Sequence, residues 1–147
     1  IAHAMLANAL AQLMLSGIRE PDDALRHEIQ THIKRALQLD GDNPSVIHQV
    51  VGPYSALGDY DTMLRLTRRA VELYPNAPLS HYILGYAYQN LGRCADAIAA
   101  FLQQDRLTPF DRGRYLGLAN LGMCYLLEGQ PAEAEAALDR SLALQPE

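Results

Sequence analysis

Three residue types recur in phase along this chain. Tyr54, Tyr88 and Tyr125 are separated by 34 and then 37 residues, and Gly58, Gly92 and Gly129 show the same two intervals, as do Pro75, Pro109 and Pro146. One residue at a fixed interval is compatible with chance. Three types in phase define an internal repeat, and periods of about 20 to 50 residues belong to stacked supersecondary units. The repeat constrains the architecture before any other feature does. It also points to binding as the kind of work, without naming a partner.

Each period holds two apolar-periodic stretches of about thirteen residues with helical spacing. The units run Pro44 to Ala77, Pro78 to Asp111 and Tyr115 to Glu147. A glycine separates the two stretches, at Gly58, Gly92 and Gly129, where a left-handed residue closes the first helix. Pro131 suits the first turn of the helix that follows. Arg35-Ala36-Leu37-Gln38-Leu39 echoes Arg69-Ala70-Val71-Glu72-Leu73 34 residues on. This predicts an earlier pair, Ala2 to Ser16 and Asp22 to Leu39, with Asp22 or Asp23 as N-cap. The longer third interval places a three-residue insertion after Pro109, around Phe110 to Arg114.

These patterns predict an all-α chain: a right-handed superhelical stack of about four antiparallel helix hairpins, spanning 1–147 as one domain. The units fall at about 1–43 (degenerate), 44–77, 78–111 and 115–147. Gly52-Pro53 falls inside a predicted first helix and should kink it, since proline lacks an N–H for the Gln49 carbonyl and crowds it. The bend is either absorbed by the adjacent glycine or opens the carbonyl to a ligand.

With 147 residues, 49% hydrophobic and 20% charged, the chain can bury a core. A net charge of -5 and scattered basic residues argue against direct nucleic-acid binding. Arginines outnumber lysines eleven to one, a hint of a GC-rich bacterial source. Cys94 and Cys124 form neither a CxxC nor a zinc-ligand pattern and read as two reduced thiols, favouring the cytoplasm. No apolar run approaches the roughly 18 residues of a membrane span. The first residue is Ile1 and the last, Glu147, directly follows a repeat-ending proline, which reads as a fragment of a longer protein.

The unit Tyr82-Ile83-Leu84-Gly85-Tyr86-Ala87-Tyr88, followed by Gly92, Ala97, Phe101 and Pro109, resembles the tetratricopeptide repeat in order and spacing. Leu121-Gly122, Tyr125, Gly129, Ala134, Leu138 and Pro146 match it again. The unit before keeps Tyr54, Gly58, Ala70 and Pro75, but has Val50-Val51 for Leu-Gly and Met63 for Ala. In physical terms Gly85 and Gly122 remove side chains where two helices cross closely, with Ala97 and Ala134 opposite them.

The resemblance implies a protein–protein interaction module whose first helices line a concave, peptide-binding face. The candidate partner-binding residues on that face are His48, Gln49, Tyr82, Tyr86, Gln89, Asn90, Asn120 and Met123. Tyr82 and Tyr86 lie one turn apart and give rigid aromatic area beside adaptable amides. The alternative is that these tyrosines pack against a neighbouring helix. Family members that capture acidic peptide tails carry a basic clamp on this face. The matching positions here hold His48, Gly52, Ile83, Leu116 and Asn120, so the clamp is absent.

No catalytic residue, cofactor site or metal site is expected. His27 and His32 stand five apart, about 140° around a helix, rather than the four that helical zinc ligands require. His48 and His81 lie on successive first helices with no cysteine or carboxylate cluster beside them. The resemblance extends to the repeat regions of larger bacterial signalling and transcription regulators, through Leu107 to Leu116. The competing reading is self-association through an apolar end face including Leu138, Leu142 and Leu144, giving a homo-oligomer.

Overall fold

A computed structural model describes residues 1–144, with Arg112 described by its backbone. Among the described residues there are eight α-helices and no strand. They are α1 (Ala2–Leu15), α2 (Asp23–Asp40), α3 (Pro44–Leu57), α4 (Tyr60–Leu73), α5 (Pro78–Asn90), α6 (Cys94–Leu107), α7 (Tyr115–Leu127) and α8 (Pro131–Leu144). The chain divides into two compact units, Ile1–Leu73 and the part from Tyr74 onward. Each unit contains two helix hairpins.

The glycine ladder closes first helices as expected. Gly58, Gly92 and Gly129 have φ of 79°, 70° and 72°, a region that L side chains enter at a cost. The residue after each glycine donates its N–H to the carbonyl of the ladder tyrosine: Asp59 to Tyr54, Arg93 to Tyr88 and Gln130 to Tyr125. The glycine N–H itself bonds one residue further on, to Ser55, Gln89 and Leu126 respectively. This pair of bonds satisfies carbonyls that a helix end leaves orphaned. Gly17 repeats the motif on α1, with φ 70° and Ile18 bonding to Leu13. Leu13 thus holds the place that tyrosine holds later.

The helices α2, α3 and α4 begin at side-chain caps, Asp22, Asn43 and Asp59. The Asp22 carboxylate accepts from the Leu25 N–H at 2.7 Å, so Asp22 is the cap and Asp23 the first helical residue. Asp59 accepts from Thr62 N–H and opens α4 in the same way. The helix α3 continues from Pro44 to Leu57 through Pro53, which is buried. Pro75 and Pro109 lie just past the ends of α4 and α6; Pro146 lies outside the described residues.

In the first unit α1 packs on α2 and α3, and α3 on α4. In the second, α6 packs between α5 and α7, and α7 pairs with α8. The second core gathers Phe101, Ala97, Leu118, Leu121 and Cys124. A Cβ at Gly85 would meet the Phe101 ring at 2.7 Å, and one at Gly122 would meet Leu138 Cγ at 2.6 Å. Both glycines are therefore the close-crossing notches that the sequence predicted. Cys94 and Cys124 are buried and unpaired by disulfide, and their thiols touch across α6 and α7. Burial, then the neighbouring Cys94, pushes the Cys124 thiol up to about 12. That contact was not foreseen from a spacing of 30 residues.

The insertion after Pro109 forms a 3-10 turn at Arg112–Arg114. Arg114 reaches back to Asp105 at 3.0 Å, and Arg140 of α8 takes the other carboxylate oxygen at 2.6 Å. One carboxylate thus ties the insertion to α6 and α8. Phe110, at its tip, is 96% exposed.

Candidate partner-binding faces

The eight candidate residues divide between the units: His48 and Gln49 belong to the first, the other six to the second. Each unit joins its two first helices by a side-chain hydrogen bond. In the first, Asn8 of α1 donates to Gln49 Oε1 of α3 at 3.1 Å. In the second, Asn120 of α7 hydrogen-bonds the Tyr82 hydroxyl of α5. Asn8 was missed in the sequence because its helix lacks the repeat's marker residues.

Tyr82 has two roles. Its ring leans on Phe101 in the core, with centroids 6.2 Å apart and planes at 52°. It also stacks on Tyr86 at 6.4 Å and 11°. Both expectations for this residue, core packing and an aromatic strip, meet in one half-buried side chain. Burial raises the Tyr82 hydroxyl above its ordinary pKa, the neighbouring Tyr86 adds to this, and the Asn120 hydrogen bond opposes it. Asn90 donates to the Tyr86 carbonyl at 2.7 Å and so finishes its own helix. Gln89 is half-buried, and its Oε1 has no hydrogen-bond partner. Met123 is 50% exposed, between Leu116 and Leu127, which are also exposed.

His48 is half-buried, and burial lowers its pKa, so its ring stays neutral more readily than an exposed histidine. His81 is a structural residue: it is buried, with Nε2 at 2.6 Å from the Pro75 carbonyl, where it fixes the turn before α5. His32 meets His3 rather than His27, with ring nitrogens 2.9 Å apart. Among the described residues no cluster of three His, Cys, Asp or Glu could hold a metal ion.

Two features escaped the sequence reading. The first is a cleft of about 660 Å³ in the first unit, lined by Ile33, Lys34 and Leu37 of α2 and by Tyr54, Leu57 and Asp59. The second is a segregation of charge. The first helices α1, α3, α5 and α7 contain no Asp, Glu, Lys or Arg, whereas α2, α4, α6 and α8 all carry them. The signal was present in the sequence, but it emerges only when residues are sorted by helix rather than by repeat.

Comparison with known proteins agrees with this geometry. Residues 79–111 and residues 115–147 each match a tetratricopeptide repeat family model. These two stretches, which make up most of the second unit, are tetratricopeptide repeats. A solved structure of PilW, described as a widely conserved type IV pilus biogenesis factor, is similar over 97% of this chain and 62% of its own, at 26% identity and a TM-score of 0.72. A thermophilic TPR protein of Thermus thermophilus is similar over 97% of this chain and 74% of its own, at 21% identity and a TM-score of 0.70. MamA is similar over 96% of this chain and 77% of its own, at 17% identity and a TM-score of 0.64. No curated protein sequence matches. The described residues, helical in four hairpins, have the fold of tetratricopeptide-repeat proteins.

Proposed function

We propose that this chain is a protein–protein interaction scaffold, and that the first-helix face of its second unit binds a peptide segment of a partner protein. The observation that carries the reading is the exposed apolar stripe Leu116, Met123 and Leu127 on α7, beside the Tyr82–Tyr86 stack. The core does not require these side chains outside, and exposed apolar patches rimmed by polar groups mark interaction sites. Tyr82 is anchored by Phe101 and Asn120, so its surface is presented rigidly and little side-chain entropy is lost on binding. His48 and Gln49 supply a smaller polar face on the first unit.

In this reading the chain works without catalysis, cofactor or nucleic acid, the last supported by its net charge of -5. It serves in the cytoplasm, supported by two buried free thiols, as the partner-reading part of a larger bacterial regulatory protein. The regulator resemblance rests on Leu107 to Leu116 with its three-residue insertion, a stretch that Arg114 ties back to Asp105. Among the described residues no helix is long and apolar enough to cross a membrane.

The test is selection from a displayed peptide library, with Tyr86→Ala and Met123→Asp as controls. Binders that lose affinity in both variants support the face. Binders unaffected by either variant place the site elsewhere. Self-association is the second reading, favoured by Leu142, which is 64% exposed. Its end face is narrower than expected, because Leu138 fills the Gly122 notch and Leu144 packs on the core. Sedimentation of wild type against Leu142→Glu over a range of concentrations decides it: a monomer throughout removes this reading.

A further inference from the structure

We infer that the segment held by this face is an amphipathic α-helix that presents an uncharged apolar seam, and that its binding is nearly independent of salt. The inference rests on the peptide-binding reading above and specifies the chemistry and shape of the occupant.

Charge is the first argument. Partners that carry charge are met by opposite charge, and a charge buried against a surface without one is left uncompensated. No residue of α5 or α7 is charged, while α6 and α8 of the same unit together hold seven charged residues, Asp96, Asp105 and Arg106 on α6 and Glu133, Glu135, Asp139 and Arg140 on α8. The unit's other charges among the described residues stand in the turns, with Arg114, which is paired to Asp105, and Glu128 at the two ends of α7, so the body of the first-helix face offers nothing with which to attract a charged segment.

Spacing is the second. Leu116, Asn120, Met123 and Leu127 follow one another at intervals of four, three and four. That is the 3.5-residue repeat that keeps one helix in contact with another along a seam. From Leu116 to Leu127 the stripe runs eleven residue steps, about 16 Å at the helical rise. Three seam intervals of a partner helix cover about the same length. Three same-face intervals of an extended strand cover about 20 Å and fall out of step. The stripe is thus matched to a helix rather than to an extended peptide.

The third is the single polar member of the stripe. Asn120 is half-buried, and the Tyr82 hydroxyl orients it. A lone polar residue in an apolar seam sets the register of the helix laid on it.

Fluorescence anisotropy with four labelled synthetic peptides tests the inference. One is a helix with leucine at its seam positions and glutamine and serine elsewhere. Two others carry glutamate or lysine at the central seam positions, and the fourth is the first peptide interrupted by proline. The neutral helix is expected to bind, with affinity changing less than about twofold between low and high salt. The glutamate, lysine and proline versions should each lose about tenfold or more. Met123→Asp and, as a milder change that keeps the fold, Leu116→Gln should weaken the neutral helix.

Preferential binding of a charged version, retention by the proline version, or loss of binding with salt overturns the inference. So does a dimer of this protein that Met123→Asp dissolves, since the occupant is then a second copy. If all four peptides fail while library selection yields binders sensitive to Tyr86→Ala, this inference falls and the peptide-binding reading stands. If selection fails as well, both fall.

Discussion

The two units build the same pair of hairpins with opposite distributions of bulk. In the second, the first helix supplies the notch and the second helix the knob: Gly85 faces Phe101, and Gly122 faces Leu138. The 34-residue offset puts Val51 where the second unit has Gly85, Thr67 where it has Phe101, and Met63 where it has Ala97. All three are buried, so the first unit places bulk at Val51 and Met63, where the second has glycine and alanine, and a small Thr67 where the second has Phe101. Helix crossings tolerate such exchanges when total volume is kept. The ladder tyrosines follow the difference: Tyr88 and Tyr125 pack on the second core, whereas Tyr54 lines the open cleft beside α2.

The largest expected effect tests the knob. Phe101→Ala should destabilise the second unit by about 3–5 kcal/mol, through lost burial and the cavity left behind. Thr67→Ala, at the equivalent place, removes one small side chain whose hydroxyl bonds the Leu64 carbonyl of its own helix. It should cost about 1 kcal/mol. Urea unfolding of both variants measures this, and equal costs would erase the distinction between the units.

The notches come next. Gly85→Ala and Gly122→Ala drive a methyl into Phe101 and Leu138 and should cost about 1–3 kcal/mol each. Gly52→Ala, in the first unit, meets only Asn8 Oδ1 at 3.2 Å. Alanine also favours a helix over glycine by about 1 kcal/mol, so this change should come out near neutral. A large loss at Gly52 would show that the first unit also relies on close helix approach.

Ion pairing separates the units on a smaller scale. Asp105 and Arg114 have side chains only 16% and 17% exposed, and Asp105 also holds Arg140. Asp105→Asn should cost about 1–3 kcal/mol, by leaving the part-buried Arg114 guanidinium poorly satisfied. The pair Asp42–Arg69 of the first unit is bidentate but half exposed, so solvent and salt screen it. Asp42→Asn should leave the unfolding midpoint unchanged at physiological salt.

The helix pairs, their glycine closures and the crossing notches were legible because each rests on a local rule: a helical period, a left-handed residue, a missing Cβ. Asp22 as cap was legible for the same reason. The contact of Cys94 with Cys124, the Arg114–Asp105–Arg140 link and the Asn8–Gln49 bond were not. Each joins side chains on different helices whose rotamers depend on packing, and the repeat spacing carries no information about them. Of the candidate site, the pairing of Tyr82 with Tyr86 followed from a one-turn separation, while the Asn120 bond to Tyr82 needed α5 and α7 placed side by side. His81 was read as a neighbour of His48 on successive helices. Its actual partner is the carbonyl of Pro75, six residues upstream in a turn, where helical spacing does not apply.

The smallest effect concerns pH and distinguishes His48 from its equivalent, Tyr82. Burial holds the His48 pKa below its ordinary 6.5 in the folded state. As pH falls through that value, the unfolded chain takes up a proton that the folded chain resists. The unfolded state then binds more protons, so the first unit loses stability until the folded pKa is passed, and nothing further below it. Tyr82 is shifted upward and stays neutral throughout this range, so the second unit has no such loss at the matching position. His48→Gln should therefore shift the unfolding midpoint more favourably at about pH 5.5 than at about pH 7.5 relative to wild type. An equal shift at both values would mean that His48 acts through packing alone, and that the acid sensitivity of the first unit lies elsewhere.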